Sequence, residues 1–539
     1  MSTYANIAKV YFDLVEEVDG GEIWQCKECP VGKGRLKRKR GGGWTMLGRH
    51  GQSHAGWEAK VKAAFTGSGP MDSLVTRKVS PAAWNAYHWC DWVVMGDHPF
   101  SFVDNPLTKK YAKLESISSP TLMKYLHALD SEVAEIVKSI LPATFGLVVD
   151  GWTCSKEHYF AVFAVWTTDD GEVVRALLCC GVQDEDEESE MDFSAESLGD
   201  YLFDELQLLQ LDFNCIEFIS GDNTACNPKL ARLISQLLQH PVPLIGCASH
   251  KLNLAVEKFI RDDYAALVQG IADLCVKLRQ LKNASKLRKK NLPGAKVRSI
   301  KWGSCYAMLV RYIELHDHLR NCNFENDVLC SIPSAVDHAR AVELCSFLRD
   351  FDVVSMLLQT DGQKAMDLDD VRVQFDMLIE KYPDTAYYLS ADAAIVQNKN
   401  FEKGVVKLQQ GNEHELTAGE KIQLRRFLKE DAPAEDGDEE DDDDDEEEGG
   451  LAVAQRLHDR NQARKRARIM RTSSKYRSTK HVCSTTNMVE RLFSRAKLVM
   501  TDLRRSMYPR NLEMLMFLRA NRHLWDEVVV QRAILRDEA

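Results

Sequence analysis

Four residues near the N-terminus have the types and spacing of a metal site. Cys26-Lys-Glu-Cys29 is followed, after 20 residues, by His50-Gly-Gln-Ser-His54. A C-x2-C pair sets two thiolates on one tight turn, and an H-x3-H pair sets two imidazoles one helical turn apart, so together they close a tetrahedron around Zn2+. Four protein ligands leave no open coordination position, which makes the expected zinc structural rather than catalytic. Between the pairs runs KGRLKRKR (33–40), with six Lys/Arg. Held on a small metal-nucleated scaffold, Lys37, Arg38, Lys39 and Arg40 can neutralise phosphates of DNA. The same block also suits a nuclear-localisation stretch or a solvated loop.

A second constellation is acidic. Asp150 follows an apolar run in Val149-Asp-Gly-Trp-Thr153, Asp222 follows another in Ser220-Gly-Asp-Asn223, and Glu490 opens a helical stretch in Met488-Val-Glu-Arg-Leu-Phe-Ser494. Three carboxylates at one sheet edge can hold two divalent cations, which stabilise the attacking and leaving oxygens of phosphoryl transfer. Taken singly, an Asp after a strand is also a turn residue, and a Glu early in a helix also answers the helix dipole. Cys247 and His250 have half the spacing of a zinc site, with no second ligand pair nearby; a core thiol and a capping imidazole are the plainer reading. Trp302 suits a core indole as well as a base-stacking one.

These residues need elements to carry them. Phe145–Val149, Phe160–Trp166 and Val173–Val182 are apolar runs rich in β-branched and aromatic residues, and read as strands. Ala195–Leu211 has helical periodicity, Cys215–Ser220 reads as a fourth strand, Pro228–Leu238 as a helix, Val242–Gly246 as a fifth strand, and Leu252–Ile260 opens another helix. That order describes a mixed α/β sheet flanked by helices. Residues 262–428 read as almost wholly helical, for example Tyr264–Leu287, Tyr306–Leu319 and Ala341–Leu358, and a last helical pair covers Asn487–Ser506 and Pro509–Val530.

The 539 residues carry a net charge of −12, but residues 430–448 hold 15 acidic and no basic residues; without them the chain is at +3. The positive charge is clustered at 33–40 and 464–468, a pattern that fits nucleic-acid contact plus a solvated acidic spacer. The run 430–450 is too charged to bury anything and is predicted disordered. No stretch suits a membrane span, and the first thirty residues lack a basic region followed by an apolar one, so no secretory signal is expected. With 15 scattered cysteines and no such signal, reduced thiols are expected.

Residues 10–54 resemble a BED-type zinc finger, through Val10-Tyr-Phe12, the Cys pair, Thr45, Leu47, His50 and His54; Tyr11 stands where that family usually has Trp. The whole chain resembles the hAT superfamily of DNA transposases. The matching words are Pro99-Phe-Ser-Phe-Val103, Asp150-Gly-Trp-Thr153, Gly221-Asp-Asn-Thr-Ala-Cys-Asn227, Cys247-Ala-Ser-His-Lys-Leu-Asn253, Lys301-Trp302, Val489-Glu-Arg-Leu-Phe-Ser494 and Leu512–Trp525, in family order. The resemblance implies a multidomain α+β chain: a small zinc finger, then an RNase H-like mixed α/β catalytic domain interrupted by a large all-helical insertion. Its parts would be 1–60 (zinc finger), 61–80 (linker), 81–140 (helical DNA-binding or dimerisation domain), 141–261 (RNase H-like core, first part), 262–480 (insertion) and 481–539 (core completion and dimerisation). It implies that Asp150, Asp222 and Glu490 are the catalytic triad for Mg2+ or Mn2+, that His250 contacts the scissile phosphate, and that Lys301 and Trp302 contact DNA, Trp302 by stacking on a flipped base. Lys301 replaces the family's usual Arg and loses the bidentate fork. The implied function is DNA strand cleavage and transfer in the nucleus, on duplex DNA, by a chain that self-associates through its C-terminal helices. The alternative is a domesticated zinc-finger DNA-binding protein or transcriptional regulator without catalysis.

Overall fold

In a computed structural model of the chain, the structure describes residues 4–18, 21–30, 33–39, 44–54, 56–57, 60, 79–154, 157–182, 194–296, 302–362, 365–429, 474–500 and 507–537. The acidic run and the basic residues 464–468 lie outside these. The protein is a mixed α+β chain that divides into two compact units, one of 1–89, 113–115 and 526–539, the other of 90–112 and 116–525. No helix among the described residues is long and apolar enough to cross a membrane.

The first unit opens with α1 (Tyr4–Tyr11) and a three-stranded antiparallel sheet of β1 (Phe12–Val18), β2 (Gly21–Cys26) and β3 (Arg35–Lys39), followed by α2 (Thr45–Gln52). A small apolar cluster, Ile7, Ala8, Tyr11, Phe12, Cys26 and Leu47, is buried between these elements. A Cβ on Gly51 would lie 2.5 Å from Ile7 Cγ2, so the close approach of α1 and α2 depends on that glycine. Near the other end of the unit, Gln531 in α16 (Glu527–Asp537) accepts a hydrogen bond from the Ser80 backbone (2.6 Å).

The second unit is built on a five-stranded sheet of β4 (Phe145–Cys154), β5 (Glu157–Thr167), β6 (Val173–Val182), β7 (Ile216–Gly221) and β8 (Leu244–Gly246), in the order β6-β5-β4-β7-β8. The first three pair antiparallel, and β4–β7 and β7–β8 pair parallel. The parallel steps are made by helices, α5 (Ala195–Leu208) before β7 and α6 (Cys226–Leu238) before β8, as parallel neighbours require. The five expected strands and these helices all form, with ends shifted by a few residues. A helical body follows: α7 (Ala248–Phe259), α8 (Ala265–Arg279), α9 (Leu281–Lys289), α10 (Trp302–Leu319), α11 (Ala335–Leu358) and α12 (Leu368–Lys381) share one apolar cluster running from Ala248 to Leu389. Then come α13 (Lys399–Gln410), α14 (Asn487–Val499) and α15 (Pro509–Ala520); α3 (Pro81–Met95) and α4 (Ser119–Ile140) precede the sheet.

Two expected long helices are broken. Tyr264–Leu287 is interrupted at Gln280, whose ψ of 140° takes it out of the helix. Pro509–Val530 stops at Asn521, which is fully buried and exchanges hydrogen bonds with both backbone groups of Leu177 (3.0 Å each). Its amide thus satisfies β6, an edge strand, and that outweighs continuing the helix. Leu512, Leu515 and Trp525, on the C-terminal helical stretch expected to serve self-association, are buried within this unit, and the Trp525 indole donates to Leu518 O (2.9 Å).

The segment that leads into α14 is tied to the sheet by a buried ionic group. Glu217 in β7 accepts from His481 Nε2 (2.9 Å), Arg477 (2.5 Å) and Thr144 Oγ1 (2.7 Å). Burial alone would raise its pKa, but the His481 hydrogen bond and charge, the Arg477 charge and the Thr144 hydroxyl outweigh it and hold Glu217 at about 2. A carboxylate depressed in the folded state stabilises above its unfolded pKa and loses that contribution as pH falls through the folded one. Stability is therefore expected to drop by about 3 kcal/mol between pH 4.5 and 2 on account of this group. Glu217→Gln should remove that step from a stability–pH curve and cost about the same at neutral pH, because His481 and Arg477 lose their partner.

Candidate metal centre and carboxylate edge

The Cys/His set gathers as its spacing predicts. Cys26 ends β2, Cys29 lies on the turn after it, His50 is in α2 and His54 just beyond. The ligand atoms of all four lie within 4.8 Å of one another, and theirs is the only set of three or more such residues, among those described, that does so. Cys26 Sγ and His54 Nε2 are 3.3 Å apart, Cys29 Sγ and His50 Nε2 3.3 Å, and Cys29 Sγ and His54 Nε2 3.9 Å. With Zn–S of ~2.3 Å and Zn–N of ~2.0 Å, the sulfur–nitrogen edges of a tetrahedron are about 3.5 Å, so the donor set fits Zn2+.

The surrounding residues set this geometry. The Cys26 amide donates to Gly34 O (3.0 Å) and the Lys27 amide to Tyr11 O (2.8 Å), which folds the thiol turn back. Gly34 has φ +79°, and a Cβ there would lie 2.7 Å from Cys29 Cβ and 2.9 Å from Cys26 Cβ; only glycine closes the turn over two thiols. Tyr11 stacks on His54 at 5.3 Å and Phe12 meets His50 edge-on at 5.3 Å, which fixes both rings. Burial, then the Cys26 hydrogen bond and charge, push the Cys29 thiol up; burial and then His54 push His50 down. A neutral imidazole is the form that ligates, and a metal must displace the thiol protons.

The basic block splits by strand alternation. In β3, Arg35, Lys37 and Lys39 are exposed, while Leu36 and Arg38 turn inward. Arg38 pairs with Glu22 (2.6 Å) and lies 3.8 Å from the centre of the Trp44 ring, so it is used in packing. Arg35 meets Glu16 at 3.1 Å. Lys37 and Lys39 have no ion-pair partner among the described residues; Arg40 lies outside them. Accordingly, Arg38→Ala is expected to lower the melting point of the zinc unit, at a cost of about 1–3 kcal/mol. Lys37→Ala with Lys39→Ala should leave melting nearly unchanged. Equal falls in melting point for both variants would contradict this division of roles.

The carboxylates are delivered to one sheet edge. β4 is buried through Val149 and then alternates from half-buried Asp150 outward. In the parallel β4–β7 pair Val148 faces Ser220, so Asp150 and Asp222 each lie two residues beyond the same rung. Asp222 Oδ1 accepts from Thr224 N (3.1 Å), Thr224 Oγ1 (2.6 Å) and Asn227 Nδ2 (2.7 Å), and Asp150 Oδ1 from Gly151 N (2.9 Å). Glu490 is in the first turn of α14, which packs on β4, where Phe493 meets Trp152 at 5.5 Å. Burial holds the Cys247 thiol up, and the charge of nearby Glu490 adds to it. Cys247 itself donates its amide to Gly221 O (2.7 Å) and accepts at Sγ from Thr486 N (3.4 Å), tying β8, β7 and the start of α14 together. His250 lies half-buried in the first turn of α7. Asp150, Asp222 and Glu490 do not lie, as a set, with their ligand atoms within 4.8 Å of one another.

Trp302 is placed differently. It is 5% exposed within the helical apolar cluster, and its indole donates to Asn253 Oδ1 (2.5 Å). As placed it offers no free face to a base; Lys301 lies outside the described residues. Spacing did not single out Asn227 and Thr224, which orient Asp222, or Trp44, which seats Arg38; the Asn five residues after Asp222 was the one usable signal. All fifteen cysteines are free thiols. No family model matches the chain, and no curated protein matches it.

Proposed function

We propose that the chain is a hAT-type DNA transposase: a BED-type zinc finger binds duplex DNA, and an RNase H-like domain with a helical insertion cleaves and transfers strands. The observation that carries this reading is the parallel β4–β7 pairing, which brings Asp150 and Asp222 to one edge, with Glu490 on the helix packed against β4. Asp150, Asp222 and Glu490 would hold Mg2+ or Mn2+, which supplies charge neutralisation on the scissile phosphate and an activated oxygen nucleophile. Thr224 and Asn227 fix the Asp222 carboxylate, and His250 is the residue at this edge suited to a phosphate oxygen. The zinc group organises β3 so that Lys37 and Lys39 meet the DNA backbone. Duplex DNA as substrate implies the nucleus, and self-association accompanies end pairing.

A second reading has a specific observation in its favour. The zinc ligands are gathered tightly while the three carboxylates are not, which suits a transposase-derived DNA-binding regulator that has kept the finger and dispensed with catalysis. The test is the DNA itself. If the gene is flanked by inverted repeats with short target duplications, a duplex bearing one repeat should be bound more tightly than random sequence. Equal binding to both would contradict the transposase reading.

A further inference from the structure

The longest stretch of the sequence without a carboxylate side chain lies in the helical body. Residues 274–313 contain eleven Lys/Arg and no Asp or Glu. At the chain's average of 81 acidic residues in 539, forty residues would carry about six. Arg311 pairs with Glu314 (2.8 Å), Arg298 and Lys301 lie outside the described residues, and the remaining eight fall into two groups. Lys277 donates to Asp327 O (3.0 Å) and Ser331 Oγ (2.7 Å), Lys282 pairs with Glu325, and Lys286 donates to Asn323 O (2.9 Å). Those three bind the body to its own loop.

The second group is free of such work. Arg279, Arg288, Lys289, Lys290 and Lys296 are all exposed, and none has an ion-pair partner among the described residues. α9 buries Asn283 and Leu287, one helical turn apart, and so turns Arg288 and Lys289 outward. Just past the helix, Asn291 adopts φ +55°, and Leu292 N donates to Leu287 O (3.0 Å). This Schellman-type closure stops the helix and holds Lys290 at the turn. The helix dipole favours cations in a last turn. That accounts for Arg279 at the end of α8 and for Arg288 and Lys289 at the end of α9, but not for Lys296, which lies beyond both.

We propose that Arg279, Arg288, Lys289, Lys290 and Lys296 form a second docking surface for the phosphate backbone of duplex DNA, separate from the zinc unit. Duplex DNA presents one negative charge per ~1.7 Å of axis, and exposed cations that neutralise its phosphates release the counterions of the duplex; the carboxylates Glu325 and Glu314 are taken by Lys282 and Arg311. The contact reads backbone and not sequence. The inference rests on the reading of the protein as one that acts on DNA.

The test is fluorescence anisotropy with the full-length chain and a labelled random-sequence duplex across a salt series. The triple variant R288Q/K289Q/K290Q is compared with wild type and with R288K/K289R/K290R. The glutamine variant is expected to bind about tenfold more weakly at 0.1 M salt, with the salt slope reduced by about two to three, while the charge-preserving variant matches wild type. Melting temperature and circular dichroism should be unchanged in both. A wild type that binds the duplex with affinity and slope indifferent to the glutamines would overturn this surface alone and leave the proposed function standing. A wild type that binds no duplex would overturn both. Tighter binding of single-stranded RNA through the same residues would refute the duplex assignment. So would a gain in wild-type affinity, absent in the glutamine variant, on deleting residues 430–448; that would make the chain's own acidic run the occupant.

Discussion

Removing the metal from the Cys26/Cys29/His50/His54 group is expected to unfold the N-terminal unit around it. Among the described residues six form the buried apolar cluster around the ligands, too few to offset the conformational entropy of some fifty residues without a staple. Structural zinc contributes an apparent ~10–16 kcal/mol in comparable folds at pH 7. One zinc per chain should be found by elemental analysis, and a strong chelator should abolish the near-ultraviolet signal of Trp24 and Trp44, which pack edge-to-face at 5.3 Å. Cys29→Ser should do the same without chelator. Because two thiols give up protons on binding, zinc affinity should fall with falling pH, by about two log units per pH unit while both remain protonated in the free form. A chain that keeps this signal and binds no zinc would refute the centre.

The second large effect concerns the carboxylate edge. Asp150→Asn, Asp222→Asn or Glu490→Gln should each lower divalent-metal-dependent strand cleavage by about 10³-fold or more, with duplex binding retained or slightly tighter. The folds should survive: Asn at 150 and 222 keeps an oxygen to accept from Gly151, Thr224 and Asn227. If the three carboxylates hold the cation, Mn2+ should raise the melting temperature of wild type more than that of any variant. Substitutions that leave the Mn2+ response intact would place the cation elsewhere.

All five expected strands form, Val173–Val182 without any shift and the first longer than expected by five residues, because β-branched and aromatic runs between polar turns have few other uses. The metal set was equally legible, since two ligand pairs at fixed spacing are a local signal. What local signals miss is the partner supplied from far away in the chain. Asn521 looked like a helical residue until Leu177 of an edge strand claimed its amide. Arg38 looked like one cation among six until Glu22 and Trp44 took it inward. Trp302 had the same periodicity as any core or base-stacking indole, and its hydrogen bond to Asn253, 49 residues away, is what burial decided. Leu512, Leu515 and Trp525 were likewise open to two surfaces, and their own sheet and helices cover them.

The most direct test of the account is strand cleavage of an end-labelled duplex carrying the inverted repeat, by wild type and by Glu490→Gln, with and without Mg2+ or Mn2+. Cleavage at the repeat boundary that requires the metal and disappears in the variant is the predicted result. Metal-dependent cleavage of equal rate in both proteins would contradict the account.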